Sequence, residues 1–184
     1  RSDNLEFDLK GNVLHSIVKT WVLVENLKTF SDYQDIVSSG YDAYGNVTDQ
    51  VIKTYVDEAG TDELEEKVIH NVYGDVIAQK KGNATETEIT TKVDGVNVEY
   101  KLIKNTDFDS RGNVVNKEVS TYNYDESGAA RTLVEVQRIH NDEINNRGFA
   151  KVVTIESESL DLVTGEMVCT GKVIQTNRIF DSRG

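Results

Sequence analysis

Apolar and polar residues alternate along much of this chain with a period of two. The alternation is clean in Thr87-Glu88-Ile89-Thr90-Thr91-Lys92-Val93 and in Val96-Asn97-Val98-Glu99-Tyr100-Lys101, and mixed at Val51-Ile52 and Val152-Val153. A period of two sends successive side chains to opposite faces of a strand. No apolar stripe at i, i+3, i+4, i+7 persists for a dozen residues. The nearest candidate, Asp57 to Lys67, reads as an acidic turn. The pattern therefore predicts an all-β chain, a long antiparallel meander with one better-buried face.

The turns that punctuate it repeat. Phe7-Asp8-Leu9-Lys10-Gly11-Asn12-Val13 recurs as Tyr41-Asp42-Ala43-Tyr44-Gly45-Asn46-Val47 and as Phe108-Asp109-Ser110-Arg111-Gly112-Asn113-Val114. Each copy reaches a β-branched residue (Val18, Ile52, Val119) and then Thr20-Trp21, Thr54-Tyr55 or Thr121-Tyr122 at the same offset. Weaker copies follow the same plan. Val72-Tyr73-Gly74-Asp75-Val76 reads as one shortened by two residues, Ile144-Asn145-Asn146-Arg147-Gly148 keeps only the glycine offset, and Phe180-Asp181-Ser182-Arg183-Gly184 stops at its turn. Counted from Phe7 the intervals are 34, 31, 36, 36 and 36 residues, which gives approximate units 7–40, 41–71, 72–107, 108–143, 144–179 and a truncated 180–184. Sequence before the turns repeats too, as in Ile69-His70-Asn71 and Ile139-His140-Asn141. A fixed period of this kind marks a repeat architecture. The chain is accordingly expected to be a window on a longer array, its hairpins stacked or curled as a solenoid or shell.

In D-x-x-G the aspartate accepts a hydrogen bond from an amide two residues on and starts a turn, and the glycine takes a positive φ as a bulge. Asp8 with Gly11, Asp42 with Gly45, Asp109 with Gly112 and Asp181 with Gly184 are expected to set turns in this way. A second set of turns is expected at Asp57 to Gly60, Val93 to Val96, Asp125 to Gly128 and Val163 to Glu166. The recurrent aromatics Phe7, Trp21, Tyr41, Tyr55, Phe108, Tyr122 and Phe180 are read as packing between successive hairpins.

Composition sharpens the fold class. Val and Ile total 36 residues against 10 Leu, with 16 Thr and no Pro. Such a bias suits pleated strands whose ladders need every backbone donor. The 184 residues carry 20 Lys and Arg against 32 Asp and Glu, a formal charge of -12 that disfavours nucleic acid as a partner. No run approaches the ~18 apolar residues of a membrane span. The single cysteine, Cys169, excludes an internal disulfide framework.

Tyr122-Asn123-Tyr124-Asp125-Glu126-Ser127-Gly128 fits the Y-x-Y-D-x-x-G core of YD (Rhs) repeats, and the aromatic-D-x-x-G-N-V copies look like the same turn. The chain thus resembles a divergent, long-period relative of that family, as in a large bacterial surface or filament protein. The resemblance implies a secreted or surface-exposed β-hairpin array. In the family such hairpins wind into hollow shells or spirals, some enclosing a toxin domain and others mediating contacts between cells. Here the spacing is longer, Asn-Val follows the glycine in place of a basic residue and Leu, and the proline-bearing terminal motif is absent.

Candidate chemistry is sparse. Asp107, Asp109 and Glu118 imitate a calcium loop, but Arg111 occupies a ligand position and the sister copies carry apolar residues near the place of Glu118. The loop therefore reads as a structural turn, with calcium as a minor alternative and no other cofactor expected. His15, His70 and His140 read as strand residues, and Cys169 as a small residue of a strand. Asn46-Val47-Thr48 and Asn83-Ala84-Thr85 are glycosylation sequons in expected turns. Phosphate loops, nucleophile elbows and metal-helix motifs are absent. The expected role is structural and not enzymatic: a segment of an extracellular fibre, stalk or surface layer that self-associates with neighbouring repeats or subunits. Two alternatives are an adhesin-type module for glycans or cell-surface partners, and a shell segment enclosing a toxin or cargo domain.

Overall fold

The computed structural model describes residues 1–177, so Phe180, Asp181 and Gly184 lie outside the described residues. The chain is an all-β meander. Among the described residues its eleven strands are β1 (Ser2–Phe7), β2 (Val13–Val24), β3 (Leu27–Tyr41), β4 (Val47–Tyr55), β5 (Glu63–Val72), β6 (Glu86–Val93), β7 (Val96–Phe108), β8 (Val114–Tyr124), β9 (Arg131–Ile144), β10 (Ala150–Leu160) and β11 (Met167–Thr176). They lie in one sheet in sequence order, β1 to β11, so every connection joins neighbours and antiparallel hairpins suffice. One helix, α1 (Val76–Lys80), interrupts the series between β5 and β6.

Backbone contacts divide the chain into two compact units. The first comprises residues 1–71, 88–99 and 124–130; the second comprises 72–87, 100–123 and the chain from 131 onward. In the first, β3 pairs with β4 over Tyr33↔Tyr55 to Tyr41↔Val47, and β4 with β5 over Asp49↔His70 to Tyr55↔Glu63. In the second, β9 pairs with β10 over Ser159↔Glu135 to Ala150↔Ile144.

Little apolar surface is deeply buried in either unit. Among the described residues the buried hydrophobic side chains are Ala78, Ala84, Tyr100 and Val136, and no large side chain is fully buried. Small hydroxyl residues fill other buried positions: Thr54 and Thr121 of the repeated Thr-aromatic step are buried, as are Thr91 and Ser120. Cross-strand pairs and ladder hydrogen bonds carry more of the cohesion than a thick core does. Tyr33 and Tyr55 meet edge to face at 5.4 Å in the first unit, and Trp21 meets Phe30 at 6.2 Å. In the second unit Tyr100 and Tyr122 lie 5.7 Å apart, with the Arg131 guanidinium 3.7 Å from the Tyr100 ring. Such aromatic and cation–π pairs add about 0.5–1.5 kcal/mol each beyond their area burial.

Two features of the fold depart from the sequence reading. The first is an unanticipated turn between β2 and β3, where Glu25 and Asn26 both take positive φ (51° and 65°). This is the two-residue hairpin turn whose twist matches its strands. It contains no glycine, so its sequence signal was weak. The second concerns the copy around Asp75, which is longer than its sisters and not shorter. Asp75 accepts hydrogen bonds from the amides of Ile77 and Ala78 as the N-cap of α1, and the positive-φ glycine arrives only at Gly82. Seven positions separate Asp75 from Gly82, against three from Asp42 to Gly45. Gly82-Asn83-Ala84 is the counterpart of Gly-Asn-Val, displaced by a helical turn that the five-residue pattern did not anticipate.

Candidate functional site

The most conserved geometry within the chain is the turn built on aspartate. In the first copy Asp8 Oδ1 accepts from the amides of Lys10 and Asn12, both at 2.8 Å, and Oδ2 accepts from Asn12 Nδ2 at 2.8 Å. The backbone closes the same loop: Asp8 N–H donates to the Asn12 carbonyl at 2.9 Å and Gly11 N–H to the Asp8 carbonyl at 3.1 Å. Gly11 sits at φ 88°, a region open to glycine without penalty. Asp42 repeats the arrangement with Tyr44 and Asn46, and Asp109 with Arg111 and Asn113, at 2.8–3.0 Å. Each Asp–Asn pair thus ties the two ends of its turn together. The Asn of Gly-Asn-Val is therefore a structural partner of the aspartate.

The second-set turns use related chemistry. Asp57 Oδ1 accepts from Thr61 and Asp62 amides, Asp125 Oδ1 from Ser127 Oγ and the Ala129 amide, and Asp161 Oδ1 from the Val163 amide. Gly60, Gly95, Gly128 and Gly165 take positive φ there. Asn145 replaces aspartate in its copy: Oδ1 accepts from Arg147 and Phe149 amides at 2.9 and 3.0 Å. An amide has no second acceptor oxygen, and the position that holds Asn elsewhere holds Phe149.

These contacts set the charge state of the carboxylates. Partial burial pushes Asp8 up, but donation from the Asn12 side chain and from the amides of Asn12, Lys10 and Gly11 leaves it below the usual carboxylate range. Burial likewise opposes ionisation at Asp109, and donors from Asn113 and Arg111 overcome it so fully that its pKa lies far below that range. Asp57 is lowered by the Asp62 amide first, Asp125 by the Ser127 hydroxyl and Asp161 by the Val163 amide.

Turns also stack on one another. Within the first unit, a Cβ on Gly45 would come 3.2 Å from Asn12 Oδ1; within the second, a Cβ on Gly148 would come 2.9 Å from Asn113 Oδ1. The Asp109 turn is the most heavily engaged. Asn83 Nδ2 donates to the Gly112 carbonyl at 2.8 Å, Lys81 Nζ to Asn113 Oδ1 at 2.6 Å, and Arg111 to Asn146 Oδ1 and the Ile144 carbonyl at 2.8 and 2.7 Å. Gly112 is buried against α1, where a Cβ would meet the Ile77 and Ala78 backbone at 2.8 Å.

A ladder that the sequence reading missed runs beside these turns. The side-chain amides of Asn71, Asn105, Asn141 and Asn177 donate to the carbonyls of Val47, Ala84, Val114 and Ala150 at 3.1, 2.6, 3.1 and 2.9 Å. The donors are spaced 34, 36 and 36 residues apart, and each acceptor opens the strand after its turn. Ala84, two residues before β6, stands in that place after the α1 loop. In the first copy the Tyr41 hydroxyl supplies the donor, to the Val13 carbonyl. The recurring Ile-x-Asn carried the signal, but its meaning depends on which carbonyl lies across the sheet.

The other candidates are placed as follows. Phe7 is exposed, Phe108 and Tyr41 are half-buried, and Trp21, Tyr55 and Tyr122 form the ring pairs given above. The calcium candidates do not assemble. Asp109 is committed to its turn, Asp107 receives a long bond from Asn116 at 3.4 Å, and Glu118 pairs with Arg138 at 3.3 Å. Among the described residues no three His, Cys, Asp or Glu side chains form a metal-holding group. His15 pairs with Asp35, His70 with Asp49 and His140 with Asn116, at 2.6–2.7 Å across strands. Cys169 is exposed on β11. Both sequon amides are in use, Asn46 Nδ2 on Asp42 and Asn83 Nδ2 on the Gly112 carbonyl. A concavity of about 360 Å³ in the second unit is lined by Asn116, Glu118, Arg138, His140 and Glu156, whose polar atoms already pair with one another or with Glu158 and Lys172. One of about 600 Å³ in the first unit is lined by Lys19, Trp21, Lys28, Tyr33 and Glu58. Among the described residues no helix is long and apolar enough to cross a membrane. The chain matches no family model, no curated protein and no solved structure.

Proposed function

We propose that this chain is a structural segment of a long extracellular β-hairpin array, part of a fibre, stalk or surface layer, and a divergent relative of the YD-repeat hairpins. The observation that carries the reading is the recurring aspartate turn, with the same hydrogen bonds at Asp8, Asp42 and Asp109, and with Gly45 and Gly148 each set against the asparagine of the turn before it. Such a unit specifies two things at once, the reversal of its own strands and the seat for the next reversal. Units of this kind add stability by contact with their neighbours, as in other repeat proteins. Polar groups at the turns are spent on each other, which suits a scaffold better than a reaction. The charge of -12 limits lateral clumping of exposed strands. Electron microscopy of the native material is expected to show filaments, stalks or a regular layer. Isolated globular particles there would overturn the reading.

A binding-module reading has one observation in its favour, the first-unit concavity with Trp21 and Tyr33 among lysines. A glycan array decides it: a saturable hit lost in Trp21→Ala supports an adhesin, and an array without hits removes it.

A further inference from the structure

The helix that interrupts the strand series delivers a lysine to a buried amide. Lys81 is the C-cap of α1, held there by its own N–H on the Ala78 carbonyl at 3.0 Å. From that position its Nζ reaches Asn113 Oδ1 at 2.6 Å. Asn113 is only 6% exposed, and its Nδ2 donates to Asp109 Oδ2 at 2.8 Å. An amine, a shielded carboxamide and a carboxylate thus meet in series, all three within the second unit.

Other contacts fix both sides of this meeting. Asn83 Nδ2 holds the Gly112 carbonyl at 2.8 Å, and α1 packs so closely on Gly112 that a Cβ there would lie 2.8 Å from the Ile77 and Ala78 backbone. With the carbonyl carbon about 1.23 Å behind its oxygen, Nζ stands no more than about 3.8 Å from Asn113 Cγ. Reacting atoms in a near-attack arrangement lie about 3–3.5 Å apart, so the remaining travel is within reach of a flexible lysine stem.

We propose that Lys81 and Asn113 become joined by an intramolecular isopeptide bond, formed in the folded chain with loss of ammonia. The Nζ ammonium first gives one proton to solvent, and the freed electron pair adds to Cγ. Asp109 Oδ2, already bonded to Nδ2, passes a second proton from the adduct's Nζ to the departing nitrogen. The Nζ–Cγ bond forms, the Cγ–Nδ2 bond breaks, and the ammonia released takes up the solvent proton. An alkylammonium and a primary amide become a secondary amide and an ammonium ion, with no change of oxidation state and no co-reactant. The link closes a loop over the 32 positions from Lys81 to Asn113, a constraint that lowers the entropy of the unfolded chain. It ties the one helical insertion among the described residues to the most heavily engaged turn, in a chain whose single cysteine gives no internal disulfide. The inference goes beyond the scaffold reading and does not rest on it.

Intact-mass spectrometry of the 184-residue chain, aged in its folded state, is the test. The mass is expected to fall short of the sequence value by one ammonia. Trypsin should then release a branched peptide in which Lys81–Lys92, uncut after Lys81, carries Gly112–Lys117. Lys81→Arg keeps the charge at this exposed position and should restore both the full mass and the linear peptides. Full mass in the aged wild-type chain would overturn the proposal. So would an ammonia loss that persists in Lys81→Arg, the mark of an asparagine closing on its own backbone. Should that variant fail to fold, the wild-type peptide map decides alone: linear peptides refute the bond and the branched one establishes it.

Discussion

The Asp8 and Asp109 turns share a backbone conformation and a hydrogen-bond pattern, yet they sit in different surroundings. Gly11 has open space where a Cβ would project, whereas at Gly112 the same Cβ would meet the backbone of α1. Asn12 is half-buried and Asn113 buried at 6% exposure. One five-residue sequence thus encodes a reversal that forms wherever it is placed, and neighbouring residues decide how much more depends on it. Local chemistry makes the turn; stacking makes it costly to lose.

The largest effect should separate these two glycines. Gly11→Val forces a β-branched residue to positive φ and should cost about 1–3 kcal/mol. Gly112→Val incurs the same strain and also displaces the Ile77–Ala78 backbone; with an overpacking cost of about 1–3 kcal/mol added, the total should be about 2–6 kcal/mol. Denaturant unfolding of both variants measures the gap. Equal losses would show that stacking against α1 contributes nothing.

Next in size is the aspartate itself. Asp109→Ala orphans the amides of Arg111 and Asn113 and the Asn113 side chain. By analogy with helix caps it should cost about 1–2 kcal/mol. Asn145→Ala leaves two amides without their acceptor and no third group, so its loss should be the smaller. A larger loss at Asn145 would mean that the carboxylate's second oxygen does not hold its turn.

This contrast also shows what the sequence made legible. Asp, Gly and their offset announced the turn because each acts within five residues, and alternation announced strands for the same reason. The partnership of Asp with the following Asn was also written there: where Asn145 supplies an amide, the Asn four positions on is gone and Phe149 stands instead. Asn71, Asn105 and Asn141 recur just as regularly, but their acceptors lie 21 to 27 residues away across the sheet. A side-chain-to-carbonyl bond at that separation has no local signature. The helix at Val76–Lys80 escaped for a different reason, being too short to show a periodic stripe and announced only by its cap, Asp75.

The asparagine ladder gives the third test. Asn141→Ala removes one donor to the half-buried Val114 carbonyl and should cost about 1 kcal/mol, the ordinary net worth of such a bond. Asn141→Asp should cost at least as much, since it presents an oxygen to an oxygen. If both variants unfold at the wild-type denaturant midpoint, the ladder follows the fold without supporting it.

The mildest perturbation is acid. Asp8, Asp57, Asp109, Asp125 and Asp161 all have folded pKa values below those of the unfolded chain. A depressed carboxylate contributes stability that is complete above the unfolded pKa, about 3.9 for Asp, and is lost as pH falls through the folded one. Between pH 7 and pH 5 the five remain ionised in both states, so these turns should contribute no change in Tm. Below about pH 4 the unfolded chain takes up protons first and stability should fall, with Asp109 still resisting at the lowest pH because its donors are strongest. The Asn145 turn has nothing to titrate. Hydrogen exchange at Arg147 and Phe149 should therefore stay slow at an acidity that has already opened Lys10 and Asn12. Simultaneous opening of both turns would show that the carboxylates do not hold the reversals in which they sit.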